Sequence, residues 1–343
     1  MMKLKGGVIG LGKMGISHAA LVGTHPSVDL VAVCDTTSIV LDVFKKFSTI
    51  RLYHDYLKMF ENENLDFVVI ATPTRLHYPM VKYALNKKVN VLCEKPFCMN
   101  SIEGSELEQL AVKNGLINQV SYHNQFIGTF RELKRLIKSG VIGELVHFTG
   151  EAYGNVITDE KGGTWRSDPK EGGGCLFDYA SHVINLVQEI IGRPVRANGT
   201  LRKKILSKGV DDAVYSMLTL ENGLSGVLMV NWCDQTYRKM STSLTIQGKK
   251  GKIICDATEI KIYLHEPQIR EGLDKGWTIK YITDLAIPVN FYLRGEEYSA
   301  QIDHFIECIA QKKQTEINSF EQALYTDKVI EMIIKDSKLQ NNG

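Results

Sequence analysis

Residues 7–15 read Gly7-Val8-Ile9-Gly10-Leu11-Gly12-Lys13-Met14-Gly15. A short apolar strand runs into glycines at 10, 12 and 15, and Ile16 to Val22 then carries the apolar spacing of a helix. Each glycine has a task in this order: Gly10 for the tight turn, Gly12 for close backbone approach to a pyrophosphate, Gly15 for packing of helix on strand. The free N–H groups and dipole at such a helix start favour a diphosphate. A second strand-like run, Leu30 to Cys34, ends in Asp35, about 20 residues after the glycines, where a ribose-binding acid is expected. The spacing predicts a dinucleotide site built from Gly10, Gly12, Lys13, Met14, Gly15 and Asp35. A carboxylate accepts hydrogen bonds from ribose hydroxyls and repels a 2′-phosphate, and Thr36, Thr37 and Ser38 follow in place of an arginine. NAD is therefore expected, with NADP as the alternative.

The βαβ alternation continues through helical stretches at 38–47 and 56–63 to the apolar strand Phe67 to Ala71. Thr72-Pro73-Thr74 closes that strand at the ligand edge, and His77 opens the next helix, where it is expected to line the nicotinamide pocket. Strand Val89 to Cys93 then delivers Glu94-Lys95-Pro96. Ligands of open α/β sheets bind at the carboxyl ends of the strands, and Pro96 keeps Lys95 out of the helical region. Thr72, Pro73, His77, Glu94 and Lys95 are accordingly expected beside the cofactor. A helix at 101–114 and a last strand at 117–122 complete a first domain of residues 1–122.

Residues 123–343 read as a second domain. Thr129-x-x-Glu132 has the form of a capping box, and Phe130, Leu133, Leu136 and Ile137 form one apolar face up to a terminating Gly140. Strand-like runs follow at 144–153, 213–220, 225–232, 243–247 and 252–256. Glu221-Asn222-Gly223 and Gly248-Lys249-Lys250-Gly251 suit the turns of an antiparallel meander. Late helices are expected at 299–311 and 319–335, the latter capped by Ser319-x-x-Gln322. Among the early strands lie Trp165-Arg166, then Gly172-Gly173-Gly174, then a helix at 175–191. Asp178, His182 and Asn185 fall at i, i+4 and i+7 of that helix and share one face.

At 343 residues the chain exceeds a comfortable single core. A net charge of +2 provides no broad field for nucleic acid or a membrane surface. Seven scattered cysteines without metal-type spacing read as reduced thiols in cytoplasm. No apolar run approaches the roughly 18 residues of a membrane helix, and the nine histidines form no metal motif. The partners expected are small molecules.

Jointly, the glycine turn, Glu94-Lys95-Pro96 and Gly172-Gly173-Gly174-x-x-x-Asp178-x-x-x-His182 resemble the glucose-fructose oxidoreductase, inositol dehydrogenase and MocA (Gfo/Idh/MocA) family, over nearly the whole chain. The resemblance implies an α/β protein: an N-terminal Rossmann domain and a C-terminal domain on a large, mainly antiparallel open sheet that serves as a dimer or tetramer interface. It implies that Lys95, Asp178 and His182 are catalytic, with Asn124, Tyr153, Trp165 and Arg166 bordering the substrate. It implies NAD-linked oxidation of a secondary alcohol on a sugar, sugar derivative or cyclitol. The alternatives are an NAD-dependent glycosidase acting by transient oxidation and a relative that senses NAD(H) without turnover. Asn185 stands where the family often has an acid, Ala180 where it often has glycine, and Gln125 near a frequent arginine, so substrate identity stays open.

Overall fold

The computed structural model describes residues 3–47, 49–158, 164–289, 291–293 and 295–340. The chain forms two compact units, residues 1–123 with 288–324, and residues 124–287 with 325–343. The first begins with β1 (Leu4–Ile9), α1 (Lys13–Thr24), β2 (Val28–Cys34), α2 (Ser38–Phe47), β3 (Arg51–Tyr53), α3 (Tyr56–Asn62) and β4 (Phe67–Ile70). It continues with α4 (His77–Asn86), β5 (Asn90–Cys93), α5 (Ser101–Asn114) and β6 (Asn118–Val120). The six strands are parallel in the order 3-2-1-4-5-6. That order reverses between β1 and β4, where a doubly wound sheet opens a ligand crevice at its carboxyl edge. Phe67 to Ile70 are all buried, as strands covered by helices on both faces require.

The second unit is built on α6 (Gly128–Ser139), β7 (Leu145–Tyr153), α7 (Ser181–Ile190) and the strands β8 (Pro194–Lys203), β9 (Ala213–Leu220) and β10 (Ser225–Asn231). β11 (Ser241–Gly248), β12 (Gly251–Asp256), β13 (Glu259–Leu264), β14 (Gly276–Tyr281) and a short α8 (Ile282–Leu285) follow. The eight strands lie in the order 14-13-12-11-7-10-9-8, with β7 parallel to β10 and every other pair antiparallel. β10, β12 and β13 alternate buried with half-buried residues, because only one sheet face is covered. The core on that face joins Phe130, Leu133 and Leu136 of α6, Val183, Leu186 and Val187 of α7, and sheet residues such as Phe148, Leu228 and Ile253.

Both expected turns are present: Glu221 to Gly223 joins antiparallel β9 and β10, and Gly248 to Gly251 joins β11 and β12. The sheet exceeds the expected runs by β8, β13 and β14. β8 hides its pattern because its pairing with β9 shifts twice, between Pro194 and Arg196 and between Asn198 and Leu201. The capping box at Thr129 does not form. α6 begins two residues earlier, with Ile127 as its N-cap, and the buried Thr129 hydroxyl donates to the Asp256 carbonyl at 2.5 Å. Glu132 is held instead by Arg135 and Lys280. Gly140 does cap α6 in the left-handed conformation.

The chain then returns. α9 (Glu296–Gln311) belongs to the first unit, where Tyr298, Ile302, Phe305 and Ile306 pack with Val8, Leu21 and Phe67. α10 (Phe320–Gln340) follows, with the reciprocal Ser319 and Gln322 cap in place.

Candidate active site

At the carboxyl edge of the parallel sheet, Gly10 takes φ +86° directly after β1. A Cβ on Gly15 would stand 1.7 Å from the Gly10 carbonyl oxygen, so only glycine lets α1 start this close to the strand. A Cβ on Gly12 would meet nothing within 4 Å. The turn is therefore closed behind and open in front, a cradle of diphosphate shape at a helix start. Asp35 braces it: its Oδ2 accepts the Leu11 N–H at 2.6 Å and its Oδ1 the Thr37 N–H at 2.7 Å. Each oxygen keeps a lone pair for a ribose hydroxyl. Gly12 and Lys13 are exposed, and Met14, Asp35, Thr72 and Pro73 are half-buried. These residues fit a dinucleotide.

Glu94, Lys95 and Pro96 leave β5 through a cis Lys95–Pro96 peptide, and Lys95 is half-buried. Glu94, 7% exposed, accepts from the buried His18 of α1 at 2.6 Å and from the Lys95 backbone N–H at 3.2 Å. Burial alone would raise its carboxyl pKa, but the His18 hydrogen bond and charge, with Lys95 and Ser121, hold it down at about 2. Ser121 is in turn bound by Gln301 of α9 at 2.8 Å. Glu94 thus braces the lysine loop. Its two oxygens each accept from a protein donor, whereas the sequence reading placed Glu94 beside the cofactor.

His77 also departs from expectation. It is fully buried, with Nδ1 3.0 Å from the Pro96 carbonyl and 3.1 Å from that of Phe97, and Nε2 2.9 Å from that of Thr72. Burial lowers its pKa against the pull of these carbonyls. All three neighbours are backbone carbonyls, and the neutral ring has one N–H to donate to them, so His77 lies between the Thr72 and Pro96 loops with no exposed surface.

In the second unit the helix expected at 175–191 has two parts: a π turn over Leu176–Ala180 and then α7. Such turns recur at functional sites. No local feature of the sequence announces one here. Asp178, His182 and Asn185 are 4%, 2% and 1% exposed, so their face is buried rather than solvated. Arg166 Nε donates to Asp178 Oδ2 at 2.8 Å, and its guanidinium stacks 4.5 Å above the Trp165 ring. Arg166, expected at the substrate, contacts Asp178 and covers one face of Trp165. Gln125 Nε2 donates to Asn185 Oδ1 at 2.9 Å, so two of the three positions that depart from the family pattern are bonded to each other. Asn124 is buried in the same 3₁₀ turn as Gln125.

Tyr153 does not join this group. It lies on the half-exposed face of β7 with Glu151, stacks on Tyr237 at 5.6 Å and has its pKa raised to about 12 by burial and the Glu151 charge. Strand alternation sends it to the face opposite Phe148 and Ala152, which pack with Val183. Trp232 is core, its Nε1 donating to Asp212 at 2.7 Å. Among the described residues no cluster of His, Cys, Asp and Glu suits a metal, and no helix is long and apolar enough to cross a membrane.

The fold and the glycine cradle define a dinucleotide-binding α/β protein with a separate sheet unit carrying a buried Asp and His face. Residues 4–122 match the model of the oxidoreductase family with an NAD-binding Rossmann fold, and residues 130–254 match the GFO/IDH/MocA C-terminal domain. The chain belongs to the Gfo/Idh/MocA family of NAD-dependent oxidoreductases. It is 27% identical over 323 residues to an uncharacterised oxidoreductase of Schizosaccharomyces pombe, covering 85% of this chain and 84% of the relative. It is 29% identical over 300 residues to the scyllo-inositol 2-dehydrogenase (NADP(+)) IolU of Bacillus subtilis, covering 83% and 82%. Levoglucosan dehydrogenase in complex with NADH and levoglucosan superposes with a TM-score of 0.87 over 99% of this chain and 98% of that one, at 19% identity, a likeness of fold.

Proposed function

We propose that the enzyme reversibly oxidises a secondary alcohol of a sugar, sugar derivative or cyclitol, and that it prefers NAD. The observation that carries this reading is the burial of Asp178 and His182, at 4% and 2% exposure, on one helix behind a glycine triplet. Burying a carboxylate and an imidazole is costly unless they are paired or used, and strongly buried titratable groups concentrate at functional sites.

NAD, when bound, supplies the hydride acceptor. In the proposed step the substrate C–H bond breaks with its electron pair, the C=O bond forms, and the hydroxyl proton passes to neutral His182, whose type of side chain titrates near neutrality. Lys95 donates a hydrogen bond to the same oxygen and stabilises the charge that develops there. Asp178, held by Arg166, orients the imidazole. Glu94 and His77 hold the loop that aims Lys95. Asp35 disfavours a 2′-phosphate.

Half-exposed apolar residues on the uncovered sheet face, with Met217, Trp277 and Ile279 exposed, support a homo-dimer or tetramer through that face. Seven cysteines, none of them in a disulfide, suit cytoplasm. The experiment is a screen of neutral sugars, cyclitols and nucleotide sugars with NAD and NADP, following NADH or NADPH absorbance. Stoichiometric NADH supports the dehydrogenase. Release of an aglycone without net NADH would convert the reading to a glycosidase, and tight NADH binding with no turnover on any substrate would convert it to a sensor.

A further inference from the structure

Asp211 lies outside every motif in the sequence, yet it holds the start of the helix that carries Asp178 and His182. It lies in the loop two residues before β9 and is 4% exposed. Its Oδ2 accepts the Leu176 N–H at 2.8 Å and the Cys175 S–H at 3.3 Å, and its backbone carbonyl accepts the Cys175 N–H at 2.9 Å. Its Oδ1 accepts from Arg202 Nη2 at 2.8 Å. The first amides of a helix have no partner within the helix, and the carboxylate meeting them here comes from a loop residue 35 positions further along the chain. Gly174 completes the fit: at φ +110° it would carry a Cβ 3.0 Å from Asp211 Oδ1, so the glycine leaves the carboxylate room to reach Leu176.

The neighbouring Asp212 makes the platform rigid. Its Oδ2 accepts the N–H groups of Ile205, Leu206 and Ser207, each at 2.7 Å, and its Oδ1 accepts Trp232 Nε1 at 2.7 Å. Leu176 is two residues from Asp178 and six from His182. An error in the helix start is therefore passed along the π turn to both side chains.

We infer that Asp211 is a positioning residue: its carboxylate fixes the register of the helix start and thereby the placement of Asp178 and His182. The inference rests on the functional reading above for its kinetic arm only. A displacement of about 1 Å at a catalytic group costs on the order of a hundredfold in rate. Asp211→Ala should lower kcat by roughly thirtyfold to a hundredfold and leave NADH affinity within about twofold. Asp211→Asn keeps an acceptor for Leu176 and should recover kcat to within about fivefold.

Both variants are to be compared with the unaltered enzyme under conditions where near-UV circular dichroism shows each folded. The second readout is the NMR titration of the His182 ring, assigned by its absence in His182→Asn. Its midpoint should move by roughly half a pH unit or more in Asp211→Ala and stay close to its original place in Asp211→Asn. If Asp211→Ala does not fold, Arg202→Gln takes its place. This change frees the carboxylate from its anchor and should lower kcat several-fold with a shifted His182 titration. A His182 titration and kcat unmoved in the folded alanine or Arg202 variant would overturn the inference, as would NADH affinity falling in step with kcat. If the unaltered enzyme shows no turnover, the functional reading fails, while the His182 titration still decides the role of Asp211.

Discussion

Replacing Glu94 by Gln removes a buried charge and keeps the side chain's size. In the fold the Glu94 carboxyl sits at about 2 against an ordinary value near 4.3, a difference equivalent to about 3 kcal/mol of stability at neutral pH. The group is 7% exposed, so solvent screening takes little from that figure. A depressed carboxyl contributes stability that is fully present above its unfolded value and is lost as pH falls towards its folded one. The gap between the unaltered protein and Glu94→Gln should therefore be level from pH 7 to 5, then narrow, with about half remaining at pH 3. The amide still accepts from the Lys95 N–H, so the measured loss at pH 7 should be about 2–3 kcal/mol. Trp165, Trp232 and Trp277 all belong to the second unit, which makes their fluorescence in urea an internal control. Hydrogen exchange of peptides from α1, β5 and β6 in the same titration reports the first unit. A gap of the same size at pH 3 as at pH 7 would refute the reasoning, and so would a loss seen first in tryptophan fluorescence.

Asp35→Ser should narrow the preference for NAD over NADP about tenfold or more by relieving repulsion of the 2′-phosphate, measured as the ratio of kcat/KM values; equal use of both cofactors by the unaltered enzyme would count against the role given to Asp35. Lys95→Ala should lower kcat by on the order of a hundredfold while the NADH Kd, read by fluorescence titration, stays nearly constant. A parallel loss of NADH affinity would make Lys95 structural. Alcohol oxidation should weaken as pH falls and ketone reduction as pH rises, because the first needs neutral imidazole and the second imidazolium. His182→Asn should flatten both limbs and lower kcat by roughly two to four decades; limbs that persist in the variant would pass the proton to Lys95, reacting neutral.

The local code of this chain reaches far into its architecture. The glycines at 10, 12 and 15 require a particular backbone, and the sheet edge that follows from them is the one observed. The place of Asp35 at the end of β2 was legible because its distance from the glycines is set by one βαβ unit, and the shared face of Asp178 and His182 from their spacing, although the π turn over Leu176–Ala180 was not. Alternation in β10, β12 and β13 needs only a covered face and an open one. Tertiary structure alone decided which groups those side chains meet. His18 reaches Glu94 across 76 residues, Arg166 takes the carboxylate of Asp178, and Asp211 caps a helix begun 35 residues earlier. Residues 288–324 return to the first unit, where Gln301 meets Ser121. Spacing along a strand or helix fixes which face a residue occupies. The partner of a buried polar group is chosen by where distant segments pack, because a buried hydrogen bond must be satisfied by whatever donor or acceptor the fold brings within reach, and neighbouring residues carry no record of that choice.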